Sequence, residues 1–310
     1  MFEPIKDCWF LTGPTASGKT QVGLRLAKKI NAEIISLDSM AIYREMDIGT
    51  AKPTAEETSE VPHHLVDIVD PTDDYSLANY LDAAHECAAD IRARGHEVLF
   101  VGGTPLYLKS LLRGLFEGPP PDWEFRKQVR AEAEQVGVEA LHERLKMVDP
   151  LSASKLPKGD IRRIIRALEV YKATGQPISH KQLHFDEGRP ASDGKIFVLS
   201  WPREQLIERI DARVDIMFER GLLDEARGLR ERHQSISRTA SQAVGYRECF
   251  AILDEEMEQS DAIERVKIRT RRFAKRQRTW FRGLSECRPI ERHGEDAADS
   301  VAELILAELE

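Results

Sequence analysis

The chain has 310 residues, 41% hydrophobic and 32% charged, with a net charge of −8, which is material for one large or two ordinary globular domains. No run of about 18 apolar residues is present to span a membrane, and residues 1–7 lack the basic start and long apolar centre of a signal peptide. Cys8, Cys87, Cys249 and Cys287 stand far apart with no CxxC pair, which argues against a zinc site or a disulfide framework and suits a reducing cytoplasm.

In chain order, the apolar run Cys8-Trp9-Phe10-Leu11 stops at Gly13 and predicts a buried strand over 7–12. Val22, Leu26 and Ile30 have helical spacing over 19–30, with Lys28 and Lys29 near the end. Ile34, Ile35 and Leu37 mark a second strand over 33–38. A helix over 76–94 is closed by Gly95, a third strand over 97–102 ends in Gly102-Gly103-Thr104, and a helix over 106–112 follows at once. Strands alternating with helices predict a parallel sheet covered on both faces. The proline-rich stretch 117–122 breaks this pattern. Residues 123–183 read as all helix, with a turn at Asp149-Pro150 and a stop at Gly175-Gln176-Pro177. After a polar loop over 186–194, Ile196, Phe197, Val198 and Leu199 form a strand again. The helical piece is therefore expected to be an insertion. The predicted organisation is an α/β core over 1–118, an inserted all-helical domain over 119–188, and the rest of the core over 189–310, helical to its end after residue 201.

Gly13, Pro14, Thr15, Ala16, Ser17, Gly18, Lys19 and Thr20 fit the pattern G-x-x-x-x-G-K-[ST] between a predicted strand and a predicted helix. Glycines let successive N–H groups turn toward phosphate oxygens, and the helix N-terminus adds positive potential. Lys19 would neutralise a terminal phosphate, and the Thr20 hydroxyl would bind Mg²⁺. The expected fold is that of P-loop nucleoside triphosphate hydrolases. A motor-type NTPase also needs an acid at the end of a core strand. The third strand instead ends in Gly102-Gly103-Thr104, and the segment 65–70 is short and followed by Pro71. The acid in a catalytic position is Asp38, at the end of the second strand, where open α/β sheets bind ligands. Such a carboxylate suits a general base, or else a turn or cap residue.

Along nearly the whole chain the sequence resembles the bacterial tRNA dimethylallyltransferases, also called tRNA isopentenyltransferases. The matching segments are 13–20, Asp38-Ser39 with Tyr43, 47–53, His63-His64-Leu65, Gly102-Gly103-Thr104, 166–171 with Thr174-Gly175, 242–246 and 270–277. The resemblance implies transfer of a dimethylallyl group from dimethylallyl diphosphate to N6 of adenosine 37, in the anticodon loop of tRNAs reading codons that begin with U. It implies Mg²⁺ as cofactor and a cytoplasmic monomer. Asp38 resembles the family's base, Thr104 a residue that contacts the target adenosine, and Arg213 one that reaches the diphosphate. Family-matched tRNA contacts are Asp38, Ser39, Met40, Ala41, Thr104, Arg126, Arg162, Arg163, Ile164, Ile165 and Arg166. Ala41, Pro105 and Gly159 stand where many members have Gln, Gly and Asn; Ala41 puts a side-chain base contact at that position in doubt.

A base in such a loop must be splayed out to react. Arg162, Arg163 and Arg166 lie within about one helical turn, so a phosphate could bridge two of them. Between residues 264 and 282 stand nine Lys/Arg and one acid, a stripe expected to attract tRNA backbone and also to pack through Val266, Ile268, Phe273 and Trp280. His63 and His64 suit a structural role better than metal binding. The competing readings are a prenyltransferase acting on free adenine nucleotides, a small-molecule kinase whose lid would use Arg162 to Arg166, and a nucleotide-gated binding module.

Overall fold

The computed structural model describes residues 1–294 and 296–309. They divide into two compact units, one of Met1–Pro4 with Ser110–Glu187 and one of Ile5–Lys109 with Gly188–Glu310. The elements in chain order are β1 (Trp9–Thr12), α1 (Lys19–Ile30), β2 (Ala32–Ser36), α2 (Ala55–Glu60), β3 (His63–His64), α3 (Leu77–Ala93), β4 (Glu97–Gly102) and α4 (Pro105–Arg113). Next come α5 (Trp123–Val136), α6 (Val138–Val148), α7 (Pro150–Lys155), α8 (Ile161–Thr174), α9 (Ile178–Lys181) and α10 (Leu183–Asp186). The chain then continues through β5 (Lys195–Ser200), α11 (Arg203–Glu219), α12 (Leu222–Arg232), α13 (Arg238–Ser241), α14 (Tyr246–Leu253), α15 (Gln259–Arg282), β6 (Arg288–Glu291) and α16 (Ala298–Ala307).

Among the described residues, six strands form one parallel sheet in the order β3-β2-β4-β1-β5-β6. Strand β1 is buried throughout because its apolar residues meet helices on both faces. Leu11, Val22, Leu26, Leu99, Phe197 and Leu199 share one core cluster. Truncating one such leucine to alanine costs about 2–5 kcal/mol. Helix α1 packs closely on β4 because Gly23 has no side chain; a Cβ there would lie 3.0 Å from Val101 Cγ2. The fold is that of P-loop NTPases with a helical insertion.

Two strands were not expected. Chain after residue 201 is not helical to its end: β6 pairs in parallel with β5, Phe197 opposite Arg288 and Leu199 opposite Ile290. It is four residues long and contains Pro289, which an edge strand tolerates because one side of its ladder needs no N–H. At the other edge, His63 and His64 pair with Ile34 and Ile35. Their ring nitrogens are engaged structurally, His63 Nδ1 with Val61 O at 2.8 Å and His64 Nε2 with Glu33 Oε2 at 2.6 Å. Among the described residues no group of His, Cys, Asp and Glu is arranged to hold a metal by itself.

The smaller unit is helical and has its own core of Phe125, Val129, Leu141, Leu145, Ile164, Ile165 and Leu168. Its helices are punctuated by short-range chemistry. Asp122 accepts the Phe125 N–H at 2.9 Å to start α5, Asp160 accepts the Arg163 N–H at 3.2 Å to start α8, and Gly175 ends α8 at φ 68°. No described helix is long and apolar enough to cross a membrane.

Candidate active site

The site lies where β1, β2 and β4 end. Thr12 is paired with Gly102, and its hydroxyl donates to Gly102 O at 2.8 Å. Beyond the last ladder pairs, Leu37 N–H donates to Val101 O at 2.8 Å and Thr104 N–H to Leu37 O at 3.1 Å. A Cβ on Gly102 would sit 2.2 Å from Leu37 O, so only glycine lets these two chain segments come this close. This brings Asp38, Ser39 and Thr104 beside the loop 13–20, at a point where the chain crosses from one side of the sheet to the other.

The loop winds tightly. Gly18, at φ 86°, precedes α1 in the left-handed region that glycine occupies without strain, and Ala16 takes φ 63° there. Lys19 folds across the loop, Nζ donating to Pro14 O at 2.8 Å and Gly13 O at 3.1 Å. Ser17 N–H donates to Pro14 O at 3.3 Å, and Thr15 N–H donates to Gln277 Oε1 at 2.8 Å. Among the described residues, the N–H groups of Ala16, Gly18, Lys19 and Thr20 have no protein acceptor, and neither does the Thr20 hydroxyl. The donors open to an anion are thus these four and not Thr15. Burial pushes the Lys19 ammonium down to about 7; the Arg213 charge adds to this and the Asp38 charge opposes it. Burial likewise lowers Arg213, again opposed by Asp38. Arg213, on α11, is half-buried and makes no hydrogen bond or ion pair among the described residues. Lys19, Arg213 and Asp38 are therefore close enough for their charges to act on one another.

Asp38, read from the sequence as a general base or else a turn or cap residue, holds a turn. Its Oδ1 accepts the N–H of Met40 at 2.8 Å and of Ala41 at 3.4 Å, a turn that fixes the carboxylate, while Oδ2 has no partner among the described residues. Met40 lies partly exposed, and the Ala41 side chain is buried. Thr104 is the residue before α4; its carbonyl accepts the Leu108 N–H, but its hydroxyl accepts the Ser39 N–H at 3.1 Å.

Gln277, buried on α15, received no site role from sequence. Its amide spans the site, Oε1 taking the Thr15 N–H and Nε2 donating to Gly103 O at 2.6 Å. A Cβ on Gly103 would meet Nε2 at 2.7 Å. No local signal marks such a residue; only the pairing of distant loops does. The rest of α15 packs through Ala262, Val266, Ala274 and Phe281, whereas Ile268 and Trp280, expected in that face, are exposed. Arg269 and Arg271 of the basic stripe are tied to Glu248 and Asp211, and Lys267 bonds Asp215 at 2.8 Å. The segment 47–53 is pinned by Glu225, which accepts the N–H groups of Asp47, Ile48 and Gly49 and the Tyr246 hydroxyl.

The remaining expected tRNA contacts lie in the helical unit. Arg126 binds Glu169 in a two-pronged pair at 2.8 Å on each prong, and Arg166 bonds the same carboxylate at 2.5 Å. Glu169 is buried; burial raises its carboxyl, and the two arginines with the Asp122 N–H more than offset this and hold it below the usual range. Arg163 pairs with Asp160. Ile164 and Ile165 are in the unit's core, so their side chains cannot reach a surface ligand. Arg162 is exposed and makes no ion pair among the described residues.

The loop Gly13–Thr20 thus stands beside a carboxylate at the neighbouring strand end, in a sheet of the P-loop NTPase class. Residues 41–284 match the IPP transferase family, and residues 6–67 match isopentenyl transferase. A tRNA dimethylallyltransferase of Rhodopirellula baltica is 48% identical, the match covering 98% of this chain and 94% of that protein. A tRNA dimethylallyltransferase of Pelotomaculum thermopropionicum is 44% identical over 90% of this chain and 88% of its own length. The crystal structure of a tRNA isopentenylpyrophosphate transferase from Bacillus halodurans superimposes with a TM-score of 0.69 at 38% identity, covering 98% of this chain and 97% of that one. A eukaryotic dimethylallyltransferase acting on tRNA superimposes with a TM-score of 0.74 at 30% identity, over 93% and 74% of the two chains. The chain belongs to the IPP transferase family.

Proposed function

We propose that the chain transfers a dimethylallyl group from dimethylallyl diphosphate to N6 of adenosine 37 of tRNAs that read codons beginning with U, releasing diphosphate. The observation that carries this reading is Asp38: one oxygen is spent on holding the turn, the other has no partner among the described residues, and the carboxylate's charge is felt by Lys19 and Arg213. An adenine amine is a poor nucleophile because its lone pair is delocalised into the ring. Asp38 takes the N6 proton as the N6–C1 bond forms and the C1–O bond to diphosphate breaks. Lys19, Arg213 and the open N–H groups of Ala16, Gly18, Lys19 and Thr20 receive the charge that gathers on the leaving diphosphate.

The Thr20 hydroxyl, without a protein partner and in the first turn of α1, fits a Mg²⁺ held mainly by substrate oxygens and water, a mode that needs few protein ligands. When bound, the ion neutralises diphosphate charge. Thr104 fixes Ser39 and so the wall next to the base. On the helical unit, Arg162 offers a free cation to tRNA backbone, with Arg126, Arg163 and Arg166 contributing through groups already held by carboxylates. A monomer in the cytoplasm is sufficient for this chemistry.

The test supplies labelled dimethylallyl diphosphate, Mg²⁺ and unmodified tRNA. Label in tRNA supports the proposal. Label only in free AMP would indicate a nucleotide prenyltransferase, and phosphate transfer from ATP without prenyl transfer would overturn both.

A further inference from the structure

Behind the phosphate loop is a group of residues with no place in the reaction described above. Trp201, at the end of β5, is buried and donates Nε1–H to Ser17 O at 3.0 Å. Two guanidiniums lie over its ring, Arg209 at 4.4 Å and Arg292 at 4.9 Å from the centroid. Arg209 Nε donates to Ala16 O at 2.9 Å. Arg292 donates through Nη1 to Ser17 O at 3.4 Å and through Nη2 to Asp296 O at 2.5 Å. Both arginines close on Gly18, where a Cβ would meet Arg292 Nη1 at 2.7 Å and Arg209 Nη2 at 3.8 Å.

This arrangement is poor for stability. Among the described residues neither guanidinium is paired with a carboxylate. Arg292 is only 6% exposed and its Nε has no hydrogen-bond partner. Both cations crowd the N-terminus of α1, which is already positive. Burial and the Arg209 charge disfavour the charged form of Arg292, and the Asp296 charge opposes them. An anion at the loop would offset the crowding of positive charge.

We propose that Arg292 and Arg209, organised by Trp201, are positioning residues that raise the loop's affinity for diphosphate. The path is short. Ser17 O and the open Gly18 N–H belong to the same peptide unit. Two donors on that oxygen polarise the unit and strengthen the N–H as a donor on its other side. The positive charge of the two guanidiniums adds a long-range attraction. The inference rests on the loop holding diphosphate, as proposed above.

Its test is binding of inorganic diphosphate with Mg²⁺, by calorimetry, to wild type, Arg292→Lys, Arg292→Gln and Arg209→Gln. Arg292→Gln should weaken diphosphate binding about tenfold and Arg209→Gln about threefold, with Arg292→Lys in between and tRNA affinity unchanged in all. KM for the prenyl donor should rise by the same factors, with a smaller change in kcat. Arg209 is at the surface, so its variant folds even if the Arg292 variants do not. Unchanged diphosphate affinity in Arg209→Gln and in any folded Arg292→Gln would overturn the inference, as would equal loss of diphosphate and tRNA binding. Failure of the wild type to bind diphosphate would instead overturn the proposed function.

Discussion

The Thr104 hydroxyl accepts the Ser39 N–H at 3.1 Å, tying the loop after β4 to the turn that carries Asp38. One side chain thus sets the separation between these two segments. In Thr104→Val the Ser39 N–H loses its acceptor. We expect kcat to fall about tenfold or more through misplacement of the turn, and Thr104→Ser to restore most of it. Equal rates for the Val and Ser variants in single-turnover prenylation would refute this role.

Asp38 can be tested without losing its turn. Asp38→Asn keeps an oxygen for the Met40 N–H but cannot take a proton. Prenyl transfer should drop by about 10²–10⁴, the usual scale for a general base, while diphosphate binds as before. Asp38→Ala should lose transfer and also loosen the turn. If Asn retains wild-type rates, Asp38 is only structural.

Lys19 predicts a pH dependence. Its ammonium is held down at about 7 in the free protein, against an ordinary value of 10.5. Bound diphosphate favours the charged form, so above pH 7 binding must take up a proton. Affinity for diphosphate should therefore fall as pH rises through 7, by up to about tenfold per unit, and Lys19→Arg should flatten this slope. The same shift works against the fold. Between pH 7 and 10.5 the unfolded chain holds the extra proton, so stability rises with pH across that window and the penalty is fully present below it. Lys19→Met should raise the Tm at pH 6 while abolishing turnover.

Gln277 needs both ends of its amide, one for Thr15 N–H and one for Gly103 O. Gln277→Glu keeps an acceptor for Thr15 but sets a negative charge facing Gly103 O and near the diphosphate. Kinetics of Gln277→Glu and Gln277→Leu should both show lower kcat/KM, with the larger rise in KM for Glu. A wild-type KM in Glu would argue against the bridge.

The helical unit separates fold from recognition. Arg162→Ala should weaken tRNA binding and reduce its salt dependence by about one counterion, with an unchanged Tm. Arg126→Ala should instead lower stability by about 3 kcal/mol, because it uncovers part of the buried Glu169 charge. Chemical denaturation and filter binding distinguish the two outcomes.

What the sequence conveyed follows physical range. Strands β1, β2, β4 and β5 were legible because each is an uninterrupted apolar run ended by a turn, as at Leu11 before Gly13. The edges were not. His63-His64 and Arg288-Pro289-Ile290-Glu291 have neither the length nor the apolar density of a buried strand, and their pairing is decided by the sheet beside them. The phosphate loop was legible because its chemistry is local. Gln277, Trp201 and Arg292 were not, since their partners lie 262, 184 and 275 residues away. The family resemblance put Arg126, and helical spacing Arg166, among candidate tRNA contacts, but neither could reveal that Glu169 already holds both.

Those separations also bear on synthesis. The loop 13–20 leaves the ribosome early, yet the side chain that accepts the Thr15 N–H and donates to Gly103 O is Gln277, and a donor to Ser17 O is Arg292. A nascent chain therefore carries an unfinished anion site for most of its translation, closed by contacts of high sequence separation that form slowly. A chain that ends before residue 277 carries the phosphate-loop motif without the Gln277 bridge between Thr15 and Gly103.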